Sequence, residues 1–168
     1  VQNAKDTFYE VLRGRIAVLS PDRTVVVRGV TRPGVLVEEN ELVAAAVVAD
    51  CFRVEWVGAS VDVAGAMPVV ALECEIAYET AGTAINAGMD RGRALGAMDG
   101  ELLAALNACP QNAVKMNYAG LVFGRAAVAM STNVWWGEVK FGGVVVKDDR
   151  VARTVSVAVM NYEEAAEL

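Results

Sequence analysis

"PVVALECEIAYET", residues 68–80, decides the fold. Val70, Leu72, Cys74, Ile76 and Tyr78 alternate with Ala71, Glu73, Glu75 and Glu79. A period of two is the signature of a strand with one buried and one solvated face. Just upstream, in "CFRVEWV" (51–57), Phe52, Val54 and Trp56 alternate with Arg53 and Glu55. Both stretches read as half-exposed antiparallel strands, joined as a long hairpin by the Gly- and Ala-rich link "GASVDVAGAM" (58–67).

The alternation also places Glu73, Glu75 and Glu79 on one face, a candidate acidic surface. Three acids in a row could hold a hard cation. The plainer reading is a solvated face with Arg53 as a partner across the hairpin. No metal ligand set or cofactor is assigned.

Outward from this hairpin, helical spacing takes over. Phe8, Leu12, Ile16 and Leu19 recur every three or four residues, and Asp6 is placed to cap a helix ending near Leu19. "SPDRT" (20–24) is a turn, and "VVVRG" and "GVLVEEN" read as short strands flanking "TRPG" (31–34). Glu38, Glu39 and Glu41 read as a charged loop. A second helix runs from near Asp90 to near Asn107, with Leu95, Met98, Leu102 and Leu106 as its apolar stripe. Gly88, Gly92, Gly96 and Gly100 form a separate four-residue repeat. Each glycine inside a helix costs roughly 1 kcal/mol relative to alanine. Such a stripe permits another backbone to come close, from the same chain or from a second subunit, so Gly92 and Gly96 are candidate interface positions.

Residues 107–130 carry no clear period and are punctuated by Pro110 and Gly120. Two strands close the chain, at about 133–141 and 151–161, and "KDDR" (147–150) turns between them. Val151, Val155, Val157 and Val159 form one face of the last strand. The expected architecture is a single α+β domain, a mainly antiparallel sheet with two helices packed on one face.

The double tryptophan in "MSTNVWWGEVKF" (130–141) needs a decision. Period two groups Trp135 with Gly137, Val139 and Phe141, and Trp136 with Glu138 and Lys140. On that reading Trp135 is core, and Trp136, Glu138 and Lys140 are candidate interface residues. Indoles at subunit contacts supply large area and an N–H donor. Cover by another part of the same chain is the alternative for Trp136.

Composition narrows the chemistry. The 168 residues include no histidine, which excludes Ser-His and Cys-His nucleophilic systems and imidazole metal ligands. No Walker loop or strand–GxGxxG–helix unit is present. Three cysteines (Cys51, Cys74, Cys109) without close pairs suit a reducing compartment, with Cys51 and Cys74 read as buried thiols. A net charge of −6 disfavours gripping phosphate backbones. Mean hydropathy is +0.36, yet the longest apolar run, residues 42–49, is too short to span a bilayer. The excess reads as extra buried surface, subunit interfaces included. "VQNAKDTFYEVL" shows no apolar signal-peptide core. Nothing converges on a reaction, so no catalytic residue is assigned.

The order of elements resembles the phage tail terminator family, the minor tail protein U-like and tail-completion proteins. The matching pieces are "DTFYEVLRGRIAVL", "TRPGVLVEE", "VVALECEIAYET", "DRGRALGAMDGELLAAL" and "RVARTVSVAVMNYEE". This chain is longer than that pattern, with additional sequence at 107–130 and an added strand at the double tryptophan. The resemblance implies a structural protein of a phage or prophage. It implies a homo-oligomeric, hexameric ring on the end of a tail tube, which limits tube length and meets head-completion proteins. DNA passes through such a ring without specific binding, and an acidic lumen suits that. It also implies a location in the bacterial cytoplasm or in the virion tail. The competing expectation is a small ligand-binding or enzymatic domain, with a pocket between helices and sheet holding Glu73 and Glu75.

Overall fold

The computed structural model describes residues 1–41, 48–164 and 167. Helix α1 is Gln2–Leu19, followed by strands β1 (Thr24–Val27), β2 (Val30–Pro33) and β3 (Val35–Val37) and a single helical turn, α2 (Glu38–Glu41). Strands β4 (Phe52–Asp62) and β5 (Val69–Thr80) form the long hairpin, and α3 is Arg91–Asn107. Then come β6 (Asn112–Asn117), a 3₁₀ turn (Ala119–Phe123), β7 (Val128–Phe141), β8 (Val145–Lys147) and β9 (Arg150–Tyr162). The run 42–49 lies mostly outside the described residues.

The fold is α+β. Its main sheet runs β3-β4-β5-β9-β7-β6, with β8 also on β9, and the β1–β2 hairpin is a separate small sheet. The main sheet is mixed, because β3 and β4 are parallel while its other pairs are antiparallel. At the β1–β2 turn both Arg28 and Gly29 have positive φ, +49° and +80°. That is the geometry whose twist suits a two-residue hairpin.

The decisive alternation holds. Val70, Leu72, Cys74, Ile76 and Tyr78 are all buried, as are Val151, Val155, Val157 and Val159 on β9. Against this face pack Ala4, Phe8, Leu12 and Ile16 of α1 and Leu95, Met98, Leu102, Ala105 and Leu106 of α3, in one core. The two longer helices therefore share one face of the sheet.

Several boundaries move. Helix α1 begins at Gln2, so Asp6 is inside it and accepts from Gln2 Nε2 (2.9 Å) rather than capping. "TRP" of "TRPG", expected between two strands, is itself part of strand β2. Residues 107–130 supply β6 and the 3₁₀ turn, and β7 starts five residues earlier than the alternation suggested, at Val128. Glu41 is not loop charge. Its buried carboxylate accepts from Tyr9 Oη (2.5 Å) and the Val37 amide (3.3 Å), and pairs with Arg32 at 2.5 Å.

The tryptophan reading is reversed. Trp136 is core, 4 % exposed, while Trp135 is half-buried on the other face beside Tyr162. The cause is a β-bulge. Gly137 faces Ala158 and Lys140 faces Ser156, so β7 uses three steps where β9 uses two. Glu138 takes up the extra residue with φ +52°. Val139 and Phe141 do pack on the core, but the bulge flips their parity relative to Trp135. Cover by the same chain accounts for Trp136. Its ring meets Phe8 edge-on (5.5 Å between centroids), and Nε1 donates to the Leu106 carbonyl (2.9 Å).

We expect Trp136→Ala to cost about 3–5 kcal/mol in urea unfolding, as for other buried large-to-small changes. Trp135→Ala, which loses mainly the tilted Tyr162 contact, should cost about 1 kcal/mol. Equal losses would overturn the inside–outside assignment.

Candidate contact surfaces

The sequence-derived site residues do not converge. Trp136 is interior and so is withdrawn as a surface contact residue. Glu138 and Lys140 are well exposed at the bulge, 3.6 Å apart. Gly88 precedes α3 and has φ +77°. Gly92, Gly96 and Gly100 are exposed, and a Cβ on any of them meets nothing within 4 Å. No backbone of the described residues comes close to this stripe, so close packing within the chain does not explain it.

The acidic row also splits. Glu73 is exposed and Glu75 half-buried, while Glu79 is buried and paired with Arg150 at 2.6 Å. Arg53 leans toward Glu55 of its own strand, at 3.9 Å, rather than toward the acids of β5. Glu73 and Glu75 face away from the helices, and the cleft lined by Phe8, Leu12, Leu106 and Trp136 has no room for a water molecule.

Polar groups inside the fold act as joints. Tyr78 Oη and Arg153 Nη1 both donate to Asp99, which ties α3 to β5 and β9. Burial raises the Tyr78 phenol far above its usual range, and the bond to Asp99 adds to this. Lys115 of β6 is fully buried, with Nζ on the Tyr162 carbonyl, Asn161 Oδ1 (3.4 Å) and Glu167. Burial opposes ionisation of Glu167, but the bonds from Lys115, the Glu164 amide and Asn3 outweigh it and lower its pKa.

The chain matches no protein-family model and no curated protein sequence.

What the surface does offer is apolar side chains at the two ends of the sheet. At the end where β5 stops and β9 starts, the 81–90 loop presents Ile85 (96 % exposed) and Met89 (90 % exposed), and the same end of the sheet carries the exposed Val144, Val145 and Val146. At the opposite end, the 3₁₀ turn presents Leu121, Val122 and Phe123 (77 % exposed), with Val61, Val63 and Met67 at the β4–β5 tip. Isolated large apolar residues in "AGTAINAGMD" and "YAGLVFG" were the sequence signal for both, and alternation does not detect it.

Both segments are held in shape. Asp90, at the N-cap position of α3, makes no capping bond there. It accepts instead from the Thr83 amide (2.8 Å), Thr83 Oγ1 (2.7 Å) and Asn86 Nδ2 (2.8 Å). The Thr83 hydroxyl, the Thr83 amide and Asn86 together lower the Asp90 pKa to about 2. In the 3₁₀ turn, Asn117 Oδ1 accepts from the Ala119 amide (2.9 Å), and Gly124 closes the turn at φ +69°.

A depressed folded-state pKa means that the loop's hold is complete above the unfolded value, about 3.9. It is lost as pH falls toward 2. We expect Thr83 amide protection from hydrogen exchange to fade over that window, and Asp90→Ala to remove it at neutral pH. Unchanged protection in Asp90→Ala would contradict this role.

Proposed function

We propose that this chain is an assembly protein of the phage tail terminator type, closing into a ring through head-to-tail contacts. The observation that carries the reading is the pair of unlike, ordered apolar ends, one at Ile85 and Met89 and one at Leu121–Phe123. A cyclic head-to-tail interface requires two different, complementary patches on each subunit. Exposed apolar groups that cluster mark contact surfaces. The open glycine face of α3, with Gly92 and Gly96, and the exposed Glu138 and Lys140 are further surface that a ring could use. The net charge of −6 supports a lumen that lets DNA pass unretained. The reading assigns no reaction, cofactor or metal, and its partners are copies of itself, a tail tube and head-completion proteins.

The test uses two variants, Ile85→Asp and Phe123→Asp, in size-exclusion chromatography with light scattering. The unmodified chain is expected to associate as concentration rises, with closed rings as the end state. Each variant alone should remain monomeric. Mixed together, they should form dimers, because one intact pair of patches survives between unlike subunits. A monomer at every concentration that never caps tail tubes would sink the proposal.

A further inference from the structure

The face of the sheet turned away from the helices holds a cavity of about 130 Å³. Its origin is legible in the register. Ala77 lies between the core residues Ile76 and Tyr78, so it points outward. Arg53 and Thr154 are its partners across the ladders, and Ala152 faces Glu79 one row on. Ala77, Ala152 and Thr154 make a floor of small side chains. Leu36, opposite Arg53 on the parallel strand β3, and Cys51 close one wall, and Lys147 of β8 closes another.

The lining is cationic in an acidic chain. Glu79, the carboxylate in the wall, is already neutralised by Arg150 at 2.6 Å. Arg153 faces the helices in the Tyr78 row and is paired with Asp99. Lys147 forms no ion pair among the described residues. Among the described residues Arg53 has only the distant Glu55 contact at 3.9 Å, and its Nε is buried without a hydrogen-bond partner. The Arg53 side chain as a whole is 33 % exposed, and its inner N–H is the buried donor that an acceptor in the cavity would satisfy. Burial pushes the Cys51 thiol up, so it adds no competing negative charge.

We infer that this cavity is a binding site for a small oxyanion, a carboxylate or a phosphate, held between Arg53 and Lys147. A planar guanidinium matches either group through directed N–H donors, and the ammonium adds a point charge. The volume is well below the roughly 300–1,000 Å³ of pockets for drug-sized ligands, which restricts the occupant to a few heavy atoms. The cavity adjoins the Ile85 end, since Lys147 follows Val145 and Val146 on β8, but none of the exposed apolar residues lines it, so anion binding and ring assembly are read by separate experiments.

The test is calorimetric titration of the full chain with inorganic phosphate and, in a parallel arm, with succinate, each at fixed ionic strength set by sodium chloride. Saturable binding of either anion is expected. Arg53→Gln and Lys147→Gln should each weaken it about tenfold or more, as expected when a charged hydrogen-bond donor is removed. Lys147 is exposed, so its variant tests the site even where Arg53→Gln disturbs folding. Arg125→Gln, an exposed cation on the distant β6–β7 connection, should bind as the unmodified chain does. The idea is overturned by absence of saturable binding with both anions. It is equally overturned by unchanged binding in Lys147→Gln, or by an equal loss in Arg125→Gln, which would mark non-specific charge attraction.

Discussion

The last turn of α3 buries Ala105 and Leu106 while the residues after it are exposed, and the fold depends on how the carbonyls of this helix end are satisfied. A helix leaves its last four carbonyls without intrahelical donors, and they carry partial negative charge. Helix α3 has no basic residue in its own last turn. Two side chains from elsewhere supply the donors. Trp136 Nε1 takes the Leu106 carbonyl, and Arg15 Nη1 takes those of Ala105 and Ala108, both at 2.9 Å, while Arg15 Nη2 reaches Pro110. The Arg15 guanidinium also lies over the Trp136 ring, 4.9 Å from its centroid. One cluster thus fixes α1, α3 and β7 against one another. The indole is in the core because its N–H is needed there as much as its area.

Where the sequence was legible, local pattern and tertiary structure agreed. Strand β5 is paired with β9 along its whole length and with β4 over residues 69–77, and the bulge in that second pairing falls in β4, so nothing disturbs the alternation of β5. The α3 stripe was equally plain, because Leu95, Met98, Leu102 and Leu106 all meet the sheet. The misreadings have separate causes. Asp6 looks like a cap but sits one turn inside a helix whose start has no capping side chain. Lys115 inverts the usual logic of β6, since the lysine is buried and Val114 is exposed, because its partners Asn161 and Glu167 are 46 and 52 residues away. Glu41 and Asp99 likewise bind donors remote in sequence. The contact surfaces were the least legible, because an exposed Ile85 or Phe123 follows no period at all.

The two faces of the sheet follow different rules. The helix-side face is apolar and filled; Asp99 joins Tyr78 and Arg153 across elements there, while Trp56 Nε1 and Arg153 Nε have no hydrogen-bond partner among the described residues. The outer face carries Glu73, Glu75, Arg53 and Lys147 with small residues between them, and this mixture of long charged and short side chains leaves space on it. The chain therefore separates its tasks spatially. Stability resides on one face, unoccupied space on the other, and sticky apolar groups at the two ends.

The extra residue at Glu138 has a consequence for ancestry. Before it, odd-numbered positions of β7 face solvent, and after it they face the core. A relative whose β7 lacks the bulge carries one residue fewer between Trp136 and Val139. Aligned without a gap at that point, such a relative would have its buried positions matched to exposed ones along half the strand. Common descent would then be hidden at the very strand that clamps the helices, and structural superposition would recover it where residue-by-residue comparison does not.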